Sequence, residues 1–409
     1  MEIIARVNHS QLPFHVKQAA LARRVLFVHG RTGIGKSQIL VDTGLEMGIK
    51  KENIFDLRVA NMDSVELRGF MFPNKETRQT EIYAPSFLPK TEEPSMIIIE
   101  EITSVSDPLM QSALYQLTHD YRIGDYIVPQ NTIIVATGNM QSDDGVVFQL
   151  AAPLQNRMRH VELVSTVDSV VEYAEKQGFH ILTQSYLQSI REANGDVHRY
   201  SEGRVAFMTS RSLEDMDRFL CNPVNAEIIK ASWGVDRPSD CRHVYQNMPF
   251  IKFNDITIDD IKTGIHSIIG DTEGETFIHF VEEVMKTLPM FREMFSGKDV
   301  SSFKKLLPSD NNQLSFGQYY ALSSMIADKF LSDKSLLENA NVVNNVVKFI
   351  IDNDAAEMLH SEVRGTTVAA INNKSNGLFT PAVFSKADKT LLADFRKYVI
   401  GAAGHIKDL

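Results

Sequence analysis

The chain has 409 residues, 43% of them hydrophobic and 23% charged, with 42 lysines and arginines against 52 aspartates and glutamates for a formal net charge of −10. These proportions exclude a disordered, collagen-like or fibrous chain and predict two or three globular domains. The acidic balance argues against nucleic acid as a broad partner, and two cysteines, Cys221 and Cys241, are too few for a disulfide framework.

The segment up to His9 carries no basic region followed by an apolar stretch. No apolar run approaches the roughly 18–20 residues that a membrane span requires, so none is predicted. Together with the cysteine usage, this predicts a cytoplasmic protein.

In chain order, short β-branched blocks occupy Val25–His29, Ile54–Val59, Met96–Glu101, Thr132–Thr137 and His160–Leu163. Helix-like stretches at Ser37–Met47, Pro108–Asp120 and Phe148–Arg157 fill gaps between them. Strands buried on both faces read as such apolar blocks, and their alternation with helices predicts an α/β domain of three layers around a five-stranded parallel sheet. Beyond Leu163 the apolar residues recur at three- and four-residue spacing, over Thr166–Gln177, Leu182–Ala193, Arg211–Leu220, Ile258–Ile269, Thr276–Leu288, Phe316–Phe330 and Asn341–Asp352. That periodicity predicts helices, with Ser296–Lys298 and Val363–Thr380 as loops. The predicted organisation is an α/β domain over 1–163, a helical domain over 164–270 and a helical extension over 271–409.

Gly30-Arg-Thr-Gly-Ile-Gly-Lys-Ser37 fits G-x-x-x-x-G-K-[ST], with an apolar strand before it and a helix after it. Glycines let consecutive backbone N–H groups turn inward onto phosphates, Lys36 adds a positive charge, and Ser37 offers a hydroxyl to Mg²⁺. Gly30, Arg31, Thr32, Gly33, Ile34, Gly35, Lys36, Ser37 and Gln38 are therefore the expected nucleotide-binding residues, with ATP and Mg²⁺ as ligands. Further on, Met96-Ile-Ile-Ile-Glu-Glu101 is a strand that ends in two carboxylates at the carboxyl edge of the predicted sheet, where ligands sit in open α/β folds. Glu100 is expected to hold the Mg²⁺ shell through water, since it is one methylene longer than the usual aspartate. Glu101 is expected to polarise the attacking water.

The stretch from Glu100 to Leu117, with its Gln111-Ser-Ala-Leu114, resembles the third-strand region of MoxR-type AAA+ ATPases. Asp56-Leu-Arg58, Leu67-Arg-Gly69 and Tyr83-Ala-Pro-Ser-Phe-Leu-Pro89 resemble that family's insertion in helix two (here about 66–89), and Tyr121–Pro129 its hairpin before the sensor-1 strand (about 120–130). Residues 10–220 carry the resemblance strongly. The remainder is similar, more weakly, to the extension of a subgroup paired with von Willebrand factor A proteins. The resemblance implies a ring of copies of this chain, taken as a hexamer, that hydrolyses ATP between subunits and remodels a protein client.

By the same resemblance, Asn139 of Ala136-Thr-Gly-Asn139 matches sensor 1, and Arg157 of Pro153-Leu-Gln-Asn-Arg-Met158 matches the arginine finger, with Arg159 close enough to compete for the role. Arg211 of Phe207-Met-Thr-Ser-Arg-Ser-Leu213 matches sensor 2 at the start of a lid helix, capped by Thr209 or Ser210. The catalytic set is thus Lys36, Glu101, Asn139 and Arg157. Gly69-Phe-Met-Phe72 and Tyr126-Ile-Val128 place apolar groups on the two inserts, either as partner contacts or packed within the subunit. A metal site at Cys221, Cys241 and His243 is disfavoured because its spacing lacks a fourth ligand. A nucleic-acid motor, a metal-chelatase-type motor and a nucleotide-switched scaffold without turnover stand as rival readings.

Overall fold

In the computed structural model, which describes residues 5–139, 148, 150–199, 206–238, 241, 255–301, 303 and 314–352, the five apolar blocks become strands of one parallel sheet. A sixth strand, β1 (Ala5–Val7), joins them at an edge against β10 (Met158–Leu163). The sheet therefore has six strands rather than the predicted five. Three residues, of which only Val7 is buried, leave no apolar block for the sequence to display. Helix α1 (Leu12–Leu21) was likewise not predicted; it buries Leu12, Val16 and Ala19.

The remaining strands are β2 (Val25–His29), β3 (Ile54–Arg58), β6 (Ser95–Glu100) and β9 (Thr132–Gly138), and the order across the sheet is β1-β10-β2-β9-β6-β3, every neighbouring pair parallel. The phosphate-loop strand β2 thus lies one strand away from the acid-bearing β6, with β9 between them. Alternation inside each block feeds two cores. Val25, Phe27, Ile97 and Ile99 face one side, with Met110, Ala113 and Leu114 of α4 (Pro108–Tyr115). Leu26, Val28, Met96 and Ile98 face the other, with α1 and Leu40 of α2 (Lys36–Glu46). Each such aliphatic chain contributes about 1.5–3 kcal/mol when fully buried, so a register slip of one residue would exchange both cores. The result is a three-layer αβα core.

Two small hairpins interrupt it. Helix α3 (Ser64–Arg68), closed by a capping box of Asp63 and Glu66, leads into β4 (Phe70–Asn74) and β5 (Gln79–Tyr83). The second hairpin is β7 (Arg122–Ile123) with β8 (Tyr126–Ile127). Asp56-Leu-Arg58, expected in the first insert, instead forms the end of β3, because Leu57 is an inward residue of the main sheet. Helix α4 starts at the Asp107 cap with Pro108 in its first turn and is regular only to Tyr115; residues 116–120 widen into a π turn that ends at Tyr121, φ 50°. Among its described residues, the stretch expected as a helix over Phe148–Arg157 contains only the single turn α5 (Ala152–Gln155).

The chain divides into two compact units, Met1–Ser169 and Val170–Leu409. The boundary falls inside α6 (Val167–Gln177). Among its described residues the second unit is helical, with α7 (Ile181–Glu192), α8 (Ser210–Cys221), α9 (Pro223–Trp233), α10 (Ile258–Ile269), α11 (Asp271–Met285), α12 (Leu288–Met294), α13 (Phe316–Ser332) and α14 (Ala340–Asp352). Helix α13 packs along α7, and Gly317 permits this: a Cβ there would meet Phe280 at 2.6 Å and the Ser185 carbonyl oxygen at 3.0 Å. A core within this unit, Met290, Met294, Leu322, Ile326, Val343 and Phe349 among others, joins α12, α13 and α14. Trp233 is buried. The loop expected at Val363–Thr380 and the end of the extension lie outside the described residues.

Candidate nucleotide site

The phosphate loop leaves β2 at Gly30 and enters α2 at Gly35. A Cβ at Gly30 would meet the Leu163 carbonyl oxygen at 2.9 Å and Ile34 Cδ1 at 2.6 Å, so only glycine fits. Gly33 (φ 79°) and Gly35 (φ 86°) hold left-handed backbone that disfavours side chains. Ile34 turns its side chain into the core, so the loop presents its backbone outward, while the Arg31 and Thr32 side chains are exposed. No side chain caps the start of α2, in contrast to Asp107 on α4. Gln38, one turn in, is exposed and donates to Asp42 at 2.9 Å within its own helix.

Lys36 Nζ donates to the carbonyl oxygens of Gly30 (2.6 Å) and Arg31 (2.9 Å) and to Asn139 Oδ1 (3.2 Å). The lysine thus lies across the mouth of its own loop. Asn139 follows β9, and its backbone N–H donates to Thr103 Oγ1 at 3.0 Å. Gly138 before it allows a close approach, since a Cβ there would stand 2.8 Å from Phe27 and from Thr103 Cγ2.

The two acids at the end of β6 are organised by a residue that the sequence reading passed over. Thr137 is buried; its hydroxyl donates to Glu100 Oε2 at 2.5 Å and accepts the backbone N–H of Glu101 at 3.2 Å. Glu101 adopts left-handed backbone (φ 55°, ψ 41°), which turns the chain sharply off the strand. For a non-glycine residue such backbone costs on the order of 1–3 kcal/mol, and strain of this kind collects at functional sites. Glu101 is exposed and Glu100 half-buried. Arg58 pairs in register with Glu100 across β3 and β6; the bonded Asp56, and secondarily the charges of Glu100 and Glu101, hold its guanidinium above the usual value. Thr137 and Thr103 both lie in stretches already singled out, but nothing in the sequence marks a threonine hydroxyl as a bridge.

Lys36, Asn139, Glu100 and Glu101 therefore all lie at the carboxyl edge of the sheet, Asn139 bonded to Lys36 and Thr103, and the two acids bonded to Thr137. Beneath them, His29 Nε2 lies 2.9 Å from His160 Nδ1, and His160 Nε2 lies 2.8 Å from the Gln155 carbonyl oxygen. Burial first, then the charges of His160 and Lys36, push the His29 imidazole down to about 4.

Arg157 is not gathered with them. Its guanidinium stacks over Tyr115, 4.6 Å from the ring centroid, and Nη1 donates to the Pro153 carbonyl at 3.0 Å. Arg159 is exposed and donates to the Gln18 carbonyl at 3.2 Å. Arg211 belongs to the second unit, where it is exposed in the first turn of α8, and Thr209 rather than Ser210 caps that helix, in a capping box with Ser212. On the inserts, Phe70, Met71, Phe72 and Ile127 are each more than half exposed, whereas Val128 is buried and Tyr126 donates its hydroxyl to the Pro89 carbonyl at 2.7 Å. Cys221 and Cys241 are free thiols; among the described residues no three metal-ligating side chains cluster, and His243 lies outside them.

A nucleotide polyphosphate fits this site: the Gly30 cradle excludes any side chain, and the uncapped start of α2 turns backbone N–H groups outward. The Ser37 hydroxyl and the Glu100 carboxylate are hard oxygen donors of the type Mg²⁺ takes. Sheet, loop and acidic strand end together define a P-loop αβα core followed by a helical region. The chain is similar to three solved structures of NtrX from Brucella abortus. The first is 13% identical, with TM-score 0.33, covering 68% of this chain and 61% of that one. A second, in complex with ADP, is 13% identical, with TM-score 0.30 and coverage of 56% and 65%. A third, in complex with ATP, is 14% identical, with TM-score 0.29 and coverage of 47% and 49%. The chain thus spans about three-fifths of the length of the first. No family model matches the sequence, and no curated protein matches it. No helix among the described residues is long and apolar enough to cross a membrane.

Proposed function

We propose that the chain is a MoxR-type AAA+ ATPase that assembles into a ring, hydrolyses ATP at the interfaces between its copies and uses the resulting motion to remodel or activate a protein client. One observation carries this reading: Lys36, at a helix start, bonds Asn139 after β9, and Thr137 near the end of the same strand bonds both Glu100 and Glu101 at the end of β6, all at the edge where the phosphate loop opens.

The reaction is in-line attack of water on the γ-phosphorus, giving ADP and phosphate. The loop amides and Lys36 hold the phosphates, which requires Lys36 to leave the carbonyls of Gly30 and Arg31. Ser37 and, through water, Glu100 hold Mg²⁺, which when bound neutralises charge on the phosphate oxygens. Glu101 orients the water and takes its proton, and Asn139 bonds the γ-phosphate or that water. Arg157 leaves Tyr115 to reach the nucleotide of the neighbouring copy and stabilises charge in the transition state. By the resemblance Arg211 takes the sensor-2 role in the helical domain over 164–270, and the extension over 271–409 is either a partner-docking module or a structural continuation of that domain. The client is a protein, a von Willebrand factor A domain protein in the subgroup that the extension resembles; the exposed apolar hairpin β4–β5 suits such a contact. The acidic balance makes nucleic acid the poorer client, and the two cysteines fit a cytoplasmic setting.

A nucleotide-switched scaffold without turnover is the second reading, favoured by glutamate in place of aspartate at Glu100. ATP hydrolysis measured against protein concentration separates the two. Turnover that rises with assembly, is abolished by Glu101→Gln or Arg157→Ala alone and is partly restored by mixing these variants supports the shared site. Nucleotide-dependent assembly without turnover supports the scaffold, and DNA-stimulated, steeply salt-sensitive turnover would point instead to a nucleic-acid motor.

A further inference from the structure

His29 ends the strand that delivers the chain into the phosphate loop, and the roles assigned above do not use its ring. Its Nε2 faces His160 Nδ1 at 2.9 Å, and His160 Nε2 faces the Gln155 carbonyl at 2.8 Å. A carbonyl only accepts, so His160 carries its proton on Nε2 and accepts at Nδ1, and His29 must be the donor between them. The direction of bonding is set: His29 to His160 to Gln155. Gln155 ends α5, where a helix leaves carbonyls without internal partners, and Arg157 follows two residues later. At the other end, Gly30 is the next residue, and it bonds both Lys36 and the Gly138 carbonyl. The His29 ring is held from one side by Phe27, with centroids 3.9 Å apart, and Phe27 is itself wedged under Gly138. A pair of imidazoles therefore runs from the root of the phosphate loop to the turn that carries Arg157.

We propose that His29 and His160 are positioning residues that tie the state of a subunit's own phosphate loop to the Arg157 which that subunit offers to its neighbour. The proposal rests on the reading of Arg157 as the arginine finger. When phosphates draw Lys36 off the Gly30 and Arg31 carbonyls, the root of the loop readjusts; His29 passes that change through His160 to the end of α5 and so to the turn before Arg157.

The experiment mixes Arg157→Ala subunits with Glu101→Gln subunits, so that active sites arise only where the loop of the first meets Arg157 of the second. His29→Phe is then added to the Glu101→Gln subunit, whose own loop performs no hydrolysis. Turnover of the mixture is expected to fall about two- to tenfold, the range for loss of one positioned hydrogen bond, with KM for ATP unchanged. His29→Gln, whose amide keeps a donor near the position of Nε2, is expected to restore it. ATP binding and assembly size of the doubly substituted subunit verify its fold, and His29→Asn, too short to reach His160, replaces the phenylalanine if folding suffers. Unchanged turnover, with loss only when His29→Phe sits on the Arg157→Ala subunit, overturns the coupling and leaves His29 a support of its own loop. No turnover in the parent mixture overturns the shared site and the coupling with it.

Discussion

Arg157 is stacked on Tyr115 of its own subunit, its guanidinium 4.6 Å from the ring centroid, and bonded to Pro153, although the proposed role places it against the nucleotide of another. For the proposed role, assembly would have to release this contact. A cation–π contact is worth about 0.5–2 kcal/mol, small enough for a γ-phosphate to outcompete. Arg157→Ala is expected to reduce ATP turnover about 10³–10⁵-fold, the scale of known arginine fingers, with ATP binding retained. Arg159→Ala, which loses only a bond to the Gln18 carbonyl, is expected to stay within a few-fold of wild type. Steady-state kinetics of the two variants decide the assignment, and the reverse pattern moves the finger to Arg159.

Glu101→Gln keeps the size of Glu101 but removes the carboxylate proposed as the base. Turnover is expected to fall about 10²–10⁴-fold while ATP binding persists. Near-normal hydrolysis would remove Glu101 from the mechanism. Lys36→Ala differs by weakening binding as well, which nucleotide titration reads directly.

Thr137 holds Glu100 by its side chain and Glu101 by its backbone from a fully buried position. Thr137→Val preserves the shape and deletes both bonds, leaving the Glu101 N–H without that partner. Loss of about 1–3 kcal/mol of stability is expected in urea denaturation, together with a several-fold rise in the Mg²⁺ concentration needed for half-maximal turnover. A stability loss without any change in Mg²⁺ dependence would make Thr137 a fold residue only.

Two histidines contribute to the acid side of the stability profile. Burial drives His29 and the fully buried His180 each down to about 4, with the His160 and Lys36 charges adding to His29 and the Asp217 charge partly opposing the effect at His180. Their unfolded counterparts take up a proton near 6.5, whereas the folded groups resist it until about 4. The unfolded chain therefore binds more protons across this window, and the stability present above pH 6.5 is lost as pH falls through 4. Urea midpoints at pH 7.5, 6 and 5 are expected to decrease in that order; a rise on acidification would contradict both assignments.

Phe70 and Met71 are exposed on β4 and contribute little to the folded core. Replacing both with serine is expected to change stability by less than about 0.5 kcal/mol and to leave basal ATP hydrolysis intact. Loss of basal activity in an assembled, folded variant would show that the hairpin serves the site rather than a client.

The phosphate loop, the acidic strand end and the alternation of strands with helices were readable because each is a local pattern. Gly30 to Ser37 is eight consecutive residues whose backbone chemistry is its own signature, and Ile97 to Ile99 could only be strand in a doubly covered sheet. Strand β1 escaped because three residues with one buried side chain carry no period, and Asp56–Arg58 was misplaced because its motif did not reveal that Leu57 packs in the main core.

The sequence by itself determined the chemistry available: a phosphate cradle, a lysine, two carboxylates, an asparagine and arginines in a fixed order. Only the tertiary structure decided which of them meet. Glu100 finds Thr137 across 37 positions, Lys36 finds Asn139 across 103, and His29 finds His160 across 131. Contacts so distant along the chain are set by strand order and register, which follow from burying two cores at once and leave no mark on either residue alone.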